Sequence, residues 1–335
     1  MHHKTIPIFR KANQSARGLV PEKYNSSVHL PIDSPILLLM KAKLPLVIGG
    51  LAAAVLFIHY SRADDSQFLV NPGAAASTDT AHQAVNPDWR LVWSDEFDGT
   101  TLDTTKWSID VDAKGGGNGE LQYYTARPEN VRVEDGNLVL TAIKEDYTGD
   151  DGQKRHYTSG KVNTRGHADW KYGRMEARIK MPKGQGLWPA FWMMPSEDKY
   201  GGWAKSGEID IAEVIGQRPN IVYGTLHYHD SWPRNQHTGD KFTLPSGDLS
   251  DDYHVYAIEW EPGVMRWYLD GNLYETQTKW DTVAAPFPAP FDQNFFFILN
   301  FAVGGAWPGK PNSSMEFPQK MLIDYVRVYQ PVAKP

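Results

Sequence analysis

Tyr256-Ala257-Ile258-Glu259-Trp260-Glu261-Pro262-Gly263-Val264-Met265-Arg266-Trp267-Tyr268-Leu269-Asp270-Gly271-Asn272-Leu273-Tyr274 is the stretch whose reading decides the fold. Short apolar or alternating runs are split by Pro262-Gly263 and Asp270-Gly271, so three strands joined by tight turns are expected. Upstream, Val131 to Leu140 reads as a hairpin with Asp135-Gly136 at its tip, and downstream Phe295 to Phe301 and Met321 to Tyr329 supply two more strands. From Asp88 onward no long stretch holds helical periodicity. Such a chain packs two antiparallel sheets face to face, one face of a sheet on the core and the other free to line a cleft.

Gly173 to Met181 displays that division. Met175, Ala177, Ile179 and Met181 fall on one face, and Arg174, Glu176, Arg178 and Lys180 on the other. Pattern alone reads the polar face as a solvated sheet surface.

The chemistry centres on Ser206-Gly207-Glu208-Ile209-Asp210-Ile211-Ala212-Glu213-Val214, three carboxylates in an apolar strand-like run with no base among them. Alternation sends Glu208 and Asp210 to one face and Ile209 and Ile211 to the other. Glu213 comes one residue late and rejoins the acids only across a β-bulge, expected at or near Ile211-Ala212. Two glutamates so presented suit double displacement at a glycosidic carbon, with carboxyls about 5–5.5 Å apart. Asp210, between them, would raise the pKa of a neighbour or share a proton with it, and the trio would titrate as a set. A solvated edge strand and a calcium site are the plainer readings. The first does not explain the packed isoleucines, and calcium usually draws its oxygens from loops.

Glu208-Ile209-Asp210-Ile211-Ala212-Glu213 resembles the Glu-x-Asp-x-x-Glu signature of glycoside hydrolase family 16, in the bulged form of laminarinases (endo-1,3-β-glucanases). The similarity runs from Trp89 to Tyr329 through Trp93-Ser94-Asp95-Glu96-Phe97, Gly186 to Trp192 and Asn300 to Gly305. Ala212 departs from the Met of many relatives. The resemblance implies an all-β, two-sheet antiparallel β-jelly-roll sandwich, concanavalin A-like, with a concave substrate cleft. It implies an endo-acting, retaining hydrolase of β-1,3-glucosidic bonds, with Glu208 as nucleophile, Glu213 as general acid/base and Asp210 orienting Glu208. No cofactor for the chemistry is implied.

The same resemblance places Glu176, Arg178, Asn300 and Asn130 against the sugar, although a turn-capping Asn is a competing reading of Asn130. Trp188 and Trp192 supply flat platforms for pyranose C–H faces. His227 is implied to contact substrate; it alternates with His229 on one face, and a His-x-His zinc pair would need further ligands. Trp232 reads as an outer platform, and Trp307 as part of a loop placed to close over the cleft. A structural calcium on the convex side is implied at Glu96, the carbonyl of Gly136 and Asp324.

The chain has 335 residues, no cysteine and a formal charge of −6, which exclude a disulfide framework and give no electrostatic footprint for nucleic acid. Residues 1–39 read as an upstream extension, untranslated or disordered. Residues 40–63 read as a secretory signal: Lys41 and Lys43 precede an apolar run from Leu44 to Ile58, and cleavage is expected after Ala63. An uncleaved membrane anchor is the alternative. Residues 64–87 read as a flexible linker and residues 88–331 as the catalytic domain, exported and monomeric.

Three rivals remain at this level. Mixed-linkage 1,3-1,4-β-glucan would go with the shorter Glu-x-Asp-x-Glu spacing, and sulfated galactans would favour more Arg and Lys for sulfate. A non-catalytic glucan-binding module should lack one or both glutamates.

Overall fold

The computed structural model describes residues 88–332, so the expected extension, signal and linker at 1–87 lie outside the described residues. The strands are β1 (Trp89–Asp95), β2 (Ser108–Ile109), β3 (Gln122–Tyr124), β4 (Val131–Glu134), β5 (Asn137–Thr148) and β6 (Lys154–Ser159). They continue with β7 (Lys161–Asn163), β8 (Gly173–Lys180), β9 (Leu187–Pro195), β10 (Glu208–Glu213), β11 (Ile221–Tyr228) and β12 (Gln236–Thr243). The last are β13 (His254–Glu261), β14 (Val264–Leu269), β15 (Asn272–Gln277), β16 (Phe295–Val303) and β17 (Gln319–Pro331). Among the described residues the helical content is one 3₁₀ turn, Gly115–Gly117.

The opening stretch folds as read. β13, β14 and β15 are consecutive antiparallel strands, joined by two-residue turns at Pro262-Gly263 and Asp270-Gly271. Asp270 and Gly271 both have positive φ, at 49° and 76°, the twist that a two-residue hairpin turn needs. Asp135-Gly136 repeats this geometry between β4 and β5.

Two sheets result. One runs β15-β14-β13-β8-β17-β5-β6-β3, with β1 also on β17 and β4 also on β5; we call it the outer sheet. The other, β12-β11-β10-β9-β16-β7-β2, carries the acidic strand and is the inner sheet. All pairs are antiparallel except β3 with β6. The sheets share one core in which Met175, Ala177, Ile179, Ile258 and Trp267 from the outer sheet meet Phe191, Ile209, Ile211, Leu226, Phe297 and Leu299 from the inner. β16 is buried along its whole length, with Phe297, Leu299 and Phe301 in the core shared by the two sheets.

Because Met175, Ala177 and Ile179 occupy the core, Glu176 and Arg178 point away from the inner sheet. β8 pairs with β13 and β17, never with β10. This corrects the placement of Glu176 and Arg178 in the cleft. Glu176 is held by Arg174 at 2.9 Å and approached by Tyr329, and Arg178 pairs with Asp324 at 2.7 Å.

Candidate active site

β10 carries the bulge. Against β11, Asp210 faces Thr225 while Glu213 faces Tyr223, three steps on one strand for two on the other. Against β9, Asp210 faces Trp192 and Ala212 already faces Phe191. The extra residue turns both Ile211 and Ala212 into the core, at 1% and 0% exposure, and returns Glu213 to the side of Glu208 and Asp210. The bulge expected from the late glutamate is therefore present, and its bulk is apolar.

Register extends the acid-bearing face sideways. His227 lies beside Glu208 and is followed by His237 on β12. On the other flank Trp188, Ala190 and Trp192 of β9 share the face, then Asn300 of β16 opposite Ala190, then Lys161 of β7 opposite Asn300. The segment before β10 is tied down by Ser206, whose hydroxyl donates to the Gly201 carbonyl at 2.6 Å. Gly207, at φ 90°, has no room for a Cβ beside the Phe291 ring. That segment delivers Trp203 to the site.

Each glutamate receives one indole N–H. Trp203 Nε1 donates to Glu208 Oε2 at 2.6 Å, and Trp188 Nε1 donates to Glu213 Oε1 at 3.0 Å. His227 Nε2 stands 3.3 Å from Asp210 Oδ2 and 3.9 Å from Glu208 Oε1. Burial pushes Glu208 up to about 8, reinforced by the Asp210 charge and opposed by His227 and the Trp203 bond. Burial likewise pushes Asp210 up to about 8, and a hydrogen bond with Glu208 works the other way. Glu213 is held well above the carboxylate range by burial, then by the charges of Asp210 and Glu208. Burial and mutual repulsion thus keep the trio from holding three charges at neutral pH, and a Glu213 raised well above the carboxylate range suits a proton donor.

Of the expected substrate contacts, Trp188, Trp192, His227, Asn300 and Trp307 gather on this face. Trp307 packs edge-on against Trp188 (5.5 Å) and Tyr223 (5.0 Å), at the Glu213 end. Asn300, expected to await sugar hydroxyls, has protein partners instead: it accepts from Trp192 Nε1 at 2.7 Å and donates to Tyr124 Oη at 3.0 Å. It sets the Trp192 plane. Trp232, 75% exposed, sits in the loop after β11.

Asn130 is corrected. It is fully buried and saturated, donating to the Thr141 carbonyl (2.9 Å) and Thr158 Oγ1 (3.0 Å) and accepting from Thr125 Oγ1 (2.5 Å) and Arg127 (3.1 Å). No group is left for a ligand, so it is a structural knot. His229 also leaves the expected face: with φ 84° it turns off the strand end and bonds Asp281 at 3.0 Å. The His-x-His zinc pair does not form.

The calcium set does not fit as named. Glu96 is gripped by Arg327 through two bonds, at 3.0 and 2.7 Å, and Asp324 by Arg178. Each carboxylate is already neutralised by a guanidinium, which leaves the Gly136 carbonyl as the remaining donor of the three.

Sequence reasoning missed Trp203, Tyr223, Tyr124 and Lys161. Trp203 stands in a loop, where no alternation marks its direction. Lys161 lies 5.7 Å from the Trp192 ring centroid and pairs with Asp110 at 3.2 Å, a contact between elements far apart in sequence.

Comparison with known proteins agrees with this geometry. The family described as Beta-porphyranase A-D, GH16 domain, matches residues 89–331. Glucan endo-1,3-beta-glucosidase A1 of Niallia circulans is 43% identical over 270 residues, covering 76% of this chain, which spans only 39% of that protein. A beta-glucanase of Rhodothermus marinus is 46% identical over 255 residues, covering 73% of this chain and 86% of that one. The solved laminarinase structure from Rhodothermus marinus superposes with TM-score 0.65 at 43% identity, over 73% of this chain and 98% of that one. The matched span and these identities carry one conclusion, that the chain belongs to glycoside hydrolase family 16.

Proposed function

We propose that this chain is an endo-acting hydrolase that cleaves internal β-1,3-glucosidic bonds of laminarin-type glucans with retention of configuration. The observation that carries the reading is the bulge, which sets Glu208 and Glu213 on one face on either side of Asp210. Glu208, as the carboxylate while the proton it shares with Asp210 rests on Asp210, attacks the anomeric carbon. Glu213 gives its proton to the departing glycosidic oxygen, the C1–O bond breaks, and a glycosyl ester of Glu208 forms. Glu213, now a carboxylate, takes a proton from water as the oxygen attacks C1, which frees Glu208 and restores Glu213. Asp210 and His227 hold Glu208 and balance the charge that passes between its two states. Trp188 and Trp192 offer ring faces to the sugar, with Trp307 at the Glu213 end of the site and Trp232 exposed in the loop after β11 as an outer platform. No cofactor takes part in these steps. The glucan preference is supported by the names of the relatives above.

A sulfated galactan is the second reading, favoured by the description of the matched family. Lys161, the cation beside Trp192, has its charge already balanced by Asp110, which weighs against a sulfate there. We further propose export, supported by the apolar run from Leu44 to Ile58 behind Lys41 and Lys43.

The test is a product profile: the full chain is incubated separately with laminarin, mixed-linkage β-glucan and agarose, and released oligosaccharides are separated by chromatography. Early β-1,3-linked oligomers from laminarin are expected, and dominant galactan or 1,3-1,4 products would replace the substrate assignment. Glu208→Gln should abolish turnover. Added azide should restore turnover to Glu213→Ala on substrates with good leaving groups, releasing a β-glycosyl azide; an α-azide would overturn the roles.

A further inference from the structure

A bulge turns part of the backbone out of the plane of the sheet, so a peptide group at that point loses its lateral partner. In β10 the Asp210 carbonyl finds its partner in the opposite sheet. Trp267 of β14, fully buried, donates its indole N–H across the core to the Asp210 carbonyl oxygen at 2.9 Å. Such a bond is not the default for a buried indole here: Trp260 of β13 is equally buried, and its Nε1 has no hydrogen-bond partner.

The approach also needs space on a third strand. Gly224 of β11 lies where a Cβ would stand 2.6 Å from Trp267 Cδ1 and 2.8 Å from its Nε1. Any side chain at 224 would push the indole off the carbonyl. Three strands from two sheets thus converge on one peptide group, the one that starts the irregular step from Asp210 to Glu213.

We propose that Trp267 is a positioning residue for the reaction, fixing the bulge from behind and through it the spacing of Glu208 and Glu213. The inference rests on the assignment of those two glutamates as the reacting pair. Spacing matters because it selects between direct attack by a carboxylate and attack by an intervening water. The carbonyl of Asp210 orients the peptide plane on which Ile211 and Ala212 turn inward. If that plane is free to rotate, Glu213 moves relative to Glu208 without any change in the cleft side chains themselves.

Trp267→Phe keeps an aromatic ring in the core and removes only the donor and part of the volume. The expected result is a kcat lower by about 10- to 100-fold, the range for a misplacement of about 1 Å, with KM within about twofold. The two limbs of the pH–rate profile should also change their separation, because the coupling among three carboxyls depends on their distances. A lower melting temperature with unchanged kcat and unchanged profile would make Trp267 a core filler and overturn the proposal. If the variant does not fold, the intact protein decides. With ¹⁵N-labelled tryptophan and through-bond assignment, the Trp267 indole resonance should shift as the carboxyls titrate, and a resonance indifferent to pH would overturn it. Glu208→Gln is assayed alongside. Retained activity there would sink the site assignment and this inference together, whereas an inactive Glu208→Gln beside a fully active Trp267→Phe would sink this inference alone.

Discussion

Trp203→Phe is the sharpest perturbation of the site, because it takes one hydrogen bond from one carboxylate and leaves a ring in place. Trp203 Nε1 donates to Glu208 Oε2 at 2.6 Å. A hydrogen bond to an ionised group contributes about 1.5–3 kcal/mol. Trp203 is 38% exposed, so the lower end of that range applies, about 1.5 kcal/mol. The bond favours the ionised form of Glu208, and at about 1.36 kcal/mol per pKa unit its loss raises the Glu208 pKa by about 1 unit. The nucleophile must be ionised to attack, so the acidic limb of kcat/KM moves to higher pH by that amount. On the acid side of the limb the variant is then about tenfold slower than the parent, and above the limb the two converge. Initial rates on a short β-1,3-glucan with a chromogenic leaving group, followed from about pH 5 to 11, measure it. A limb that stays in place, or moves to lower pH, refutes the reasoning.

Glu176→Gln and Arg178→Ala, on the outer face, should leave kcat/KM within about twofold, since neither side chain reaches the cleft; a tenfold loss at unchanged melting temperature would return them to the site. Asn130→Ala removes four bonds inside a buried knot and should cost about 2–4 kcal/mol, lowering the melting temperature by about 5–10 °C in calorimetry with kinetics unchanged. The raised carboxyls also make stability depend on pH. Glu208 and Asp210 are shifted from about 4 in the unfolded chain to about 8 in the folded one. The stability they contribute is full below pH about 4 and is lost as pH rises through about 8. Denaturation midpoints at about pH 5 and pH 9 should fall for the parent and fall less for Glu208→Gln; parallel slopes would show that Glu208 is not protonated in the folded state.

Strand positions, turns and even the bulge were legible because they follow from local rules. Pro262-Gly263, Asp135-Gly136 and Asp270-Gly271 specify their turns from two residues each, and Glu213 announces the bulge by arriving one position late. What was not legible was which sheet a strand joins. β8 pairs with β13 and β17, more than seventy residues downstream, and that choice alone sends Glu176 and Arg178 to the outer face. Alternation separates two faces but does not say which of them is the cleft. Asn130 failed for a related reason, and the protein partners of Asn300 were hidden by the same one: a buried amide must be satisfied, and Thr158, Trp192 and Tyr124 reach these two from elements far apart in sequence. Trp203 and Trp267 act through single N–H groups whose aim no periodicity records.

The bulge has a bearing on how such a protein can change over generations. Ile211 and Ala212 both point into the core, so loss of either one by a single-codon deletion would restore simple alternation and still leave all three acids on the same face. The carboxylates would survive the deletion; the distance between the outer two, and the need for a donor behind Asp210, would not. An insertion in the ancestral strand would do the reverse. Reach between the two glutamates is therefore a heritable length, adjustable by one residue without inventing or discarding any catalytic group, and Trp267 is where the longer version leaves its mark on the opposite sheet.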